Sequence, residues 1–356
     1  MKKLIKIIGG LVLAVVLVFG VYLAYLFLSY DRLPDNQKLS VEHQQSNTLQ
    51  VDTTYKALTF NIGFGAYSQD FSFFMDNGKY SRAYDEAEVK KNMTGITKAV
   101  ASADPDIAFF QEVDVEGDRS RHVDQVAWLE NNLNGYSSVF AQNYDSAYLF
   151  YPFTQPIGQA KSGLVSLAKA EITGSTRYSL PIETNFNKFF DLDRAFSVTH
   201  VSVANNKTLA MINLHLSAFT KDPKVHEAQL TKLFSKMTEE YEKGHYVIVA
   251  GDYNHDLLGN SPEIFGTRKE RETWTHPFPS EKLPAHFSIP TDDLKKAKVP
   301  SVRASNIPYD PEKSYVSLVD GFLVSDNINI KKVQVLNQQF MNSDHNPVVM
   351  EFQLTK

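Results

Sequence analysis

Six short segments of the chain end an apolar run with a polar side chain that could bind a metal ion or move a proton. They are Thr59-Phe60-Asn61, Phe110-Gln111-Glu112, Asn213-Leu214-His215, Gly251-Asp252-Tyr253-Asn254, Leu318-Val319-Asp320 and Ser343-Asp344-His345-Asn346-Pro347. Polar groups that end core strands converge when those strands lie side by side. Oxygen ligands from Asn, Asp and Glu suit a hard divalent cation such as Mg²⁺, or Mn²⁺ in its place. The segments therefore predict acid–base chemistry around a bound cation.

Each segment taken alone also has a purely structural interpretation. Asn61 before Ile62-Gly63 suits a strand-to-turn position, and Asp252 with Asn254 suits an Asx-turn that leaves a buried strand. Glu112 fits an exposed strand end, and His215 fits a core histidine. The order and context of all six segments favour a functional site. Without cysteine or an His-x-x-x-His pair, a structural zinc site is not predicted.

Apolar runs of strand length alternate with fewer helical patterns from Tyr55 onward. Runs of β-branched and aromatic residues predict strands, listed in chain order as Ala57–Ile62, Ile107–Val113, Leu164–Leu167, Phe196–Val203, Thr208–Leu216, Tyr246–Ala250, Val316–Val324 and Val348–Leu354. Apolar residues at a spacing of three or four predict helices around residues 89–100, 126–133 and 230–241. The mixture predicts one α/β domain over residues 55–356, with sheets covered by helices.

Two long irregular segments interrupt this pattern, at residues 63–86 and 257–314. Irregular segments of this length inside a compact domain are usually functional or disordered. The first is rich in aromatic residues, and its stretch Phe71–Phe74 fits either a place in the core or a platform for substrate.

The N-terminus carries a long apolar run. Ile7 to Ser29 contains no charged residue, and a helix of 23 residues spans roughly 34 Å, enough to cross a hydrocarbon core of about 30 Å. Because Lys2, Lys3 and Lys6 precede the run, the positive-inside rule predicts a cytoplasmic N-terminus and a body outside the cell membrane. A cleaved signal peptide is the alternative, but the run is long and lacks a small-x-small cleavage site.

The domain boundaries that follow are a transmembrane anchor over residues 1–30, a polar tether over 31–54 and the body from residue 55. The whole chain carries 36 basic and 41 acidic side chains. Without the three N-terminal lysines, 33 basic and 41 acidic groups remain, a net charge of −8. A strongly basic body that coats polyanions is therefore excluded.

The combined pattern resembles the endonuclease/exonuclease/phosphatase superfamily, which contains pancreatic deoxyribonuclease, abasic-site endonucleases, bacterial sphingomyelinases and inositol-polyphosphate phosphatases. The resemblance spans about residues 56–353. Its most specific parts are Gly251-Asp252-Tyr253-Asn254 and Ser343-Asp344-His345-Asn346-Pro347-Val348. It implies a four-layer α/β sandwich, in which two mixed β-sheets pack face to face with helices outside. With the apolar N-terminus, the chain looks like a membrane-anchored member of bacterial type.

The resemblance also implies a metal site. Glu112 would be the principal Mg²⁺ ligand, and Asn61 and Asp344 would complete or orient the metal shell. A phosphoryl transition state needs a cation on its oxygens, an aligned nucleophile and relief of charge on the leaving oxygen. These needs match the donor set that the resemblance implies.

The same resemblance implies catalytic roles for five further residues. Asp252 and Asn254 would position the attacking water and hold the phosphoryl group. His345, oriented by Asp320, would contact the scissile phosphate or take a proton there, and His215 would assist the leaving group. Either Asp252 or the His345–Asp320 pair could be the general base.

Two arginines are weaker candidates for substrate contact. Arg194 stands at a strand entrance, where a surface ion pair with Asp191 or Asp193 is an equally good interpretation. Arg121 lies in Asp118-Arg119-Ser120-Arg121-His122, which also fits a solvated helix N-terminus.

We expect a Mg²⁺-dependent phosphoric-ester hydrolase that acts outside the membrane. The substrate would be a nucleic acid, a phospholipid headgroup or a small phosphodiester, and no obligate protein partner is evident. The acidic body is a poor match for a nonspecific nuclease, which gains affinity from Lys and Arg. A phosphomonoesterase would use the same residues, and a catalytically silent binding module would not be expected to keep all of them.

Overall fold

The computed structural model describes residues 1–218, 220, 222–267, 272 and 274–356. This part of the chain contains six α-helices: α1 (Lys2–Ser29), α2 (Glu86–Ala103), α3 (Gln125–Asn132), α4 (Pro223–Glu242), α5 (Ser261–Phe265) and α6 (Asp292–Ala297). Its strands are β1 (Gln37–Lys38), β2 (Thr54–Asn61), β3 (Ile107–Gly117), β4 (Ser137–Asp145), β5 (Ala160–Ala168), β6 (Ile172–Ser179), β7 (Ala195–Ser202), β8 (Thr208–His215), β9 (Tyr246–Asp252), β10 (His255–Asp256), β11 (His276–Pro277), β12 (Phe287–Ser288), β13 (Val302–Arg303), β14 (Val316–Ser317), β15 (Asp320–Ser325), β16 (Ile328–Val335) and β17 (Val348–Leu354).

Two large mixed sheets form the centre of the molecule. The first has the order β1-β6-β7-β8-β9-β15-β12, and the second has the order β16-β17-β2-β3-β5-β4. Each sheet contains one parallel neighbour pair near its middle, β8 with β9 and β2 with β3. The predicted two-sheet α/β fold is confirmed.

Alternate residues of the central strands face two different cores, because successive side chains of a strand point to opposite faces. In β3, Ile107 and Phe109 belong to the core shared by the two sheets. Ala108 and Phe110 belong to a second core, which they share with Val89 of α2. Helices α2 and α3 thus cover the outer face of the second sheet, and α4 packs on the first through residues such as Leu233. The result is four layers.

Local sequence explains where these helices begin. Asp85 accepts a hydrogen bond from the backbone N–H of Glu88 at 2.8 Å, and Asp124 accepts one from Ala127 at 2.9 Å. Each carboxylate satisfies an N–H that the first helical turn leaves without a partner. The three helices predicted from apolar periodicity are confirmed.

The strand predictions need two corrections. The apolar run Val316–Val324 forms two short strands, β14 and β15, because residues 318–319 leave the ladder between them. Eight strands were not predicted. Five of them are only two residues long, namely β1, β10, β11, β12 and β13. The longer ones are β4, β6 and β16, whose polar residues dilute the apolar pattern.

The polar segment at residues 31–54 lies along the body. Gln37 and Lys38 pair with β6, the backbone of Glu42 pairs with Ser138, and Leu49 is buried in the shared core. Residues 37–49 therefore follow the sheet edges and do not form a free tether.

Helix α1 is long and apolar enough to cross a membrane, which makes it a candidate span by length and composition. Residues from Met1 to Val21 are exposed along its whole circumference. Among the residues that the structure describes, those at the C-terminal end of the helix contact the body, and Leu26 is its buried residue.

Gly251 holds β9 close to β8 directly before Asp252. Its φ is +150°, and a Cβ at this position would overlap the carbonyl oxygen of Leu214 in β8. We expect Gly251→Ala to lower the free energy of unfolding by several kcal/mol, on the order of 3, because backbone strain and overpacking each cost about 1–3 kcal/mol. Urea denaturation measures this change.

The matched control is Gly174→Ala in β6. A Cβ there would have no neighbour within 4 Å. Its effect should stay within about 1 kcal/mol. Equal effects of the two substitutions would contradict the close approach of β8 and β9 at Gly251.

Candidate active site

The first sheet contributes three polar side chains at one edge. In the ladder, His215 of β8 lies opposite Asp252 of β9, and Asp252 lies opposite Asp320 of β15. All three residues are buried. The Nε2 atom of His215 is 3.5 Å from Oδ2 of Asp252. The order of strands in the sheet therefore places one imidazole and two carboxylates side by side.

The second sheet contributes Asn61 and Glu112. Asn61 ends β2, and its Nδ2 donates to Oδ2 of Asp252 at 2.9 Å and to Oε1 of Glu112 at 3.2 Å. This amide thus joins a carboxylate of each sheet. Its Oδ1 accepts a hydrogen bond from the N–H of Gly63, which fixes the orientation of the amide.

A β-bulge turns Glu112 toward this cluster. The pairing of β3 with β5 gains one residue between Phe110 and Val113, and Glu112 has a φ of +56°. In a regular strand, Glu112 would point to the same face of the sheet as Phe110. The bulge re-aims the Glu112 side chain. Backbone strain of this kind is common at functional sites.

The closing motif brings Asp344 to the same place. Ser343 Oγ donates to the carbonyl of Asn61 at 2.9 Å, which ties the motif to the end of β2. Ser305 Oγ donates to Oδ2 of Asp344 at 3.0 Å. The negative charge of Asp344 also contributes to the raised pKa of Glu112. The structure thus brings together all three residues proposed as metal ligands.

His345 and Asp320 form a buried pair. Nδ1 of His345 lies 2.8 Å from Oδ2 of Asp320, and its Nε2 lies 3.8 Å from Oδ2 of Asp252. Burial lowers the pKa of His345, but the Asp320 and Asp252 carboxylates outweigh it and raise the pKa to about 10. His345 is therefore a cation at neutral pH, with Nε2–H facing Asp252.

His215, in contrast to His345, is a neutral imidazole. Burial lowers its pKa well below the ordinary value, and the positive charges of Arg194 and His345 lower it further. Its Nδ1 has no hydrogen-bond partner among the described residues. The cleft therefore contains one charged and one neutral imidazole, which differ in the proton transfers open to them.

The carboxylates of the cluster fit a divalent cation. Burial raises the pKa of Glu112 to about 8, with Asp344 adding to the effect, and burial together with Asp320 raises the pKa of Asp252 to about 6. Ligand atoms of Glu112, His215 and Asp252 lie within 4.8 Å of one another. Crowded buried carboxylates are costly when ionised without a cation nearby. The donor set is one that Mg²⁺ or Mn²⁺ would accept.

We expect the affinity for Mg²⁺ to rise with pH between 6 and 8. Below its pKa of about 8, Glu112 carries a proton that must leave before the carboxylate can bind a cation. The release of one proton makes binding roughly tenfold tighter per pH unit below this pKa. Isothermal titration in buffers of different ionisation enthalpy measures both the affinity and the proton release. A pH-independent affinity without proton release would contradict the expectation.

Asn254 lies beside Asp252, with a φ of +47°. Its backbone N–H donates to Oδ1 of Asp252 at 2.8 Å, and its Nδ2 donates to the carbonyl of Leu216 at 2.8 Å. The turn therefore orients one oxygen of Asp252 and leaves the other facing the two histidines and Asn61.

A cleft of about 590 Å³ is lined by six of these residues, namely Glu112, His215, Asp252, Asn254, Asp344 and His345. This volume lies within the range that ligand sites usually have. Apolar and aromatic residues complete its wall, among them Phe64, Tyr67, Phe74, Tyr151, Phe190 and Trp274.

The two candidate arginines lie in different places. Arg194 lines the cleft, is buried, and donates to the Leu216 carbonyl at 2.9 Å and to Asp191 at 3.0 Å. Its ion pair with Asp191 is partly buried, because the Arg194 side chain is 3% exposed and that of Asp191 is 27% exposed. Arg121 is not among the described residues that line the cleft, because its guanidinium donates to the carbonyls of Ala83 and Tyr84.

Some residues that line the cleft were not predicted from the sequence, among them Arg119, Arg303 and Asp76. Arg119 lines the cleft, forms a buried ion pair with Asp114, and places its guanidinium carbon 3.3 Å from the centroid of the Phe64 ring. Arg303 and Asp76 also line the cleft, and burial with the charge of Asp344 raises the pKa of Asp76 to about 7. Arg119 belongs to the charged run at residues 118–122, whereas Arg303 and Asp76 belong to the segments at residues 257–314 and 63–86, which carry no distinguishing pattern in the sequence.

Comparisons with known proteins identify the fold. The sequence matches no protein-family model and has no significant match among curated proteins. The structure is similar to an endonuclease/exonuclease/phosphatase from Beutenbergia cavernae DSM 12333, with 17% identity over 85% of this chain and 72% of that chain and a TM-score of 0.57. It is also similar to D. rerio TDP2 complexed with single-strand DNA product, with 14% identity over 85% of this chain and 100% of that chain and a TM-score of 0.53.

The human Nocturnin catalytic domain with bound sulfate is a further similar structure, with 16% identity over 89% of this chain and 98% of that chain and a TM-score of 0.54. The chain therefore has the fold of endonuclease/exonuclease/phosphatase proteins, as its sequence motifs predicted. Identities this low show the fold alone, so arguments about the reaction depend on the residues of the cleft.

Proposed function

We propose that this chain uses its endonuclease/exonuclease/phosphatase fold to hydrolyse phosphoric esters with the help of a divalent cation. One observation carries the proposal. Polar side chains from the ends of strands in both sheets converge in one cleft, where Asn61 donates to Glu112 and to Asp252. The DNA product on TDP2 and the sulfate on Nocturnin are anionic groups bound by proteins of the same fold, which supports a phosphoester substrate.

The cation would be held by Glu112, with Asn61 and Asp344 beside it. When bound, it supplies positive charge that polarises a phosphoryl oxygen and stabilises the transition state. The clustered acidic groups and the raised pKa of Glu112 support this assignment.

The general base in this proposal is Asp252. Its pKa of about 6 leaves it ionised at neutral pH, and Asn254 orients one of its oxygens. His345 is a poorer base, because Asp320 keeps it protonated up to a pKa of about 10. The His345 cation would instead stabilise negative charge on the phosphoryl group through Nε2–H. His215, neutral and 3.7 Å from Glu112, would stand near the leaving oxygen.

We also propose that α1 anchors the protein in the cell membrane with the N-terminus in the cytoplasm and the body outside. The apolar helix and the three lysines at its start support this orientation. Protease added to intact cells should then degrade the body. Complete protection of the body would contradict the proposed orientation.

An assay of the full-length protein in detergent micelles tests the proposed reaction. The substrates would be plasmid DNA, RNA, phospholipids, sphingomyelin, inositol phosphates and a bis-aryl phosphodiester, each with and without Mg²⁺ or Mn²⁺. We expect cation-dependent turnover of at least one substrate, which His345→Ala should abolish. A wild-type protein that is inert on the whole set and binds neither cation would favour a binding module on the same scaffold.

A further inference from the structure

Exposed large apolar side chains on the body are concentrated at the mouth of the cleft. Among the described residues outside α1, those that are well exposed are Met75, Phe150, Tyr151, Phe153, Phe186, Phe190 and Met341. We call the first six the aromatic rim. Three of them, Met75, Tyr151 and Phe190, line the cleft itself. Exposed apolar side chains that cluster in this way mark an interaction surface.

One branch of the rim runs from α1 to the cleft through the segment at residues 148–153. The ring of Tyr22 in α1 lies 5.2 Å from that of Phe150. Tyr151 lies 6.0 Å from Phe153 and 5.8 Å from the cleft residue Phe74. Phe153 is 85% exposed, so its ring has almost no contact with the rest of the protein.

The other branch runs through the segment at residues 186–190. Phe27 of α1 lies 4.8 Å from Phe189, which lies 5.2 Å from Phe186. Phe186 in turn lies 5.5 Å from Phe190, which lines the cleft. Nζ of Lys188 lies 5.1 Å from the centroid of the Phe189 ring. The ring of Tyr30 lies 5.3 Å from that of Phe189, and tyrosine is enriched at the membrane–water interface.

The contact between α1 and the body fixes the direction in which the rim faces. Tyr22 Oη donates to the Tyr148 carbonyl at 3.1 Å, and the Tyr148 N–H donates to Tyr25 Oη at 3.0 Å. Leu26 is packed against Leu149 and Phe189. These contacts begin at the point where the fully exposed part of α1 ends.

The length of that exposed part places the contact at the membrane surface. Leu4 to Val21 is exposed throughout, and 18 helical residues span about 27 Å, close to a hydrocarbon core of about 30 Å. Lys6 can extend its charged end toward the headgroups. If this segment crosses the bilayer, the body lies directly on the lipid surface, and both branches of the rim start in the interfacial layer.

We infer that the aromatic rim docks on the lipid bilayer and that the cleft receives a phosphoester carried by a membrane lipid. This inference rests on the proposed hydrolase function and adds the substrate class. In the reaction, a water oxygen bonds to phosphorus, the P–O bond to the leaving group breaks, and the leaving oxygen gains a proton from the water. The net charge of −8 on the residues beyond α1 agrees with a lipid substrate, because it offers little general attraction for a nucleic acid.

A binding experiment tests the docking separately from any activity. Full-length Phe153→Trp is reconstituted in vesicles of phosphatidylethanolamine and phosphatidylglycerol, with and without brominated acyl chains. We expect the brominated lipids to quench the added fluorescence above the background of Trp128 and Trp274. The control, Met341→Trp, changes an exposed side chain outside the rim and should show no added quenching. Equal quenching of both variants, or of neither, would overturn the docking.

A kinetic experiment tests the substrate class. Phe153→Ser combined with Phe186→Ser changes two exposed rim residues that do not line the cleft, and Met341→Ser is the control. We expect the double variant to lose about tenfold or more of the turnover of vesicle lipids, since losing about 1.4 kcal/mol of interfacial contact corresponds to tenfold. It should keep wild-type turnover of a soluble bis-aryl phosphodiester.

The outcomes distinguish the two proposals. A wild-type protein that cleaves the soluble diester or nucleic acid but no lipid in phosphatidylethanolamine, phosphatidylglycerol or sphingomyelin vesicles would overturn the lipid substrate and leave the hydrolase intact. A protein that is inert on every substrate would overturn the proposed function itself. Equal loss on vesicle and soluble substrates would mean that the rim substitutions damage the cleft, and would overturn the role of the rim.

Discussion

Replacing Glu112 by Gln should remove cation-dependent turnover, with a loss of roughly 10³-fold or more in kcat. The substitution keeps the size of the side chain and its contact with Asn61 but removes the negative charge proposed to hold the cation. Cation stabilisation of transition-state charge is worth several kcal/mol, and each 1.36 kcal/mol is a factor of ten. Titration with Mg²⁺ should show a matching loss of affinity and of the accompanying proton release.

The same substitution should stabilise the protein in the absence of a cation. Burial, reinforced by Asp344, raises the pKa of Glu112 to about 8. A carboxyl whose pKa is raised in the folded state contributes stability below its ordinary pKa of 4.5 and loses it as pH rises through 8. Glu112→Gln avoids this loss, so its melting temperature should exceed that of the wild type most clearly above pH 8.

The matched control is Glu116→Gln in the same strand. Glu116 is exposed and pairs with His122 away from the cleft. Its substitution should leave both turnover and Mg²⁺ affinity at wild-type levels. If Glu112→Gln were as active as Glu116→Gln, the proposed cation site would have to lie elsewhere.

The sequence predicted the two-sheet fold well because the central strands are continuous apolar runs. A strand such as β9 is buried on both faces, so its residues Tyr246 to Ala250 are apolar without alternation. Strands β4, β6 and β16 were missed because they lie toward the sheet edges, where polar residues face solvent. Strands that are buried in the middle of a sheet are therefore easier to predict from the sequence than strands near its edge.

The polar ends of strands were also visible in the sequence, but their mutual contacts were not. A regular alternation through Phe110 gives no reason for Glu112 to face Asn61, and the bulge that turns it depends on pairing with β5. Arg303 and Asp76 reach the cleft from the segments at residues 257–314 and 63–86, whose path is set by tertiary contacts. Arg303, for example, donates to the carbonyls of Ser68 and Phe71, 232 or more residues away.

The aromatic rim illustrates a further limit of sequence patterns. The sequence left open whether Phe71–Phe74 belongs to the core or to a substrate platform, and the structure buries Phe71 while Phe74 lines the cleft. The exposure of Phe150, Phe153 and Phe186 was not predicted, because the residue type alone does not distinguish an exposed phenylalanine from a buried one. In the structure, Phe150 contacts Tyr22 of α1, and Phe186 contacts Phe189, which contacts Phe27 of α1.

Asp320→Asn should lower kcat at neutral pH by about 10²–10⁴-fold, the usual size of a general acid–base contribution. Asp320 accepts from Nδ1 of His345 at 2.8 Å and is the largest influence that keeps this buried imidazole protonated. Without the carboxylate, the pKa of His345 falls, because Asp252 and Asp344 alone offset burial less than all three carboxylates do. A smaller fraction of the imidazole is then protonated at neutral pH, so its Nε2 presents less positive charge to the phosphoryl group.

The pH profile separates this role from a structural one. In the wild type, protonated His345 should persist to a pH of about 10, so the alkaline limb of kcat lies near or above that pH. In Asp320→Asn, that limb should move to lower pH, so at saturating Mg²⁺ the residual activity should recover on acidification toward pH 6, below which Asp252 takes up a proton. The control is Asp326→Asn, which removes a similar partner from His286, 2.7 Å away but exposed, and should leave the profile unchanged. A uniform loss of activity in Asp320→Asn with an unshifted alkaline limb would mean that Asp320 supports the fold of the cleft and does not set the charge of His345.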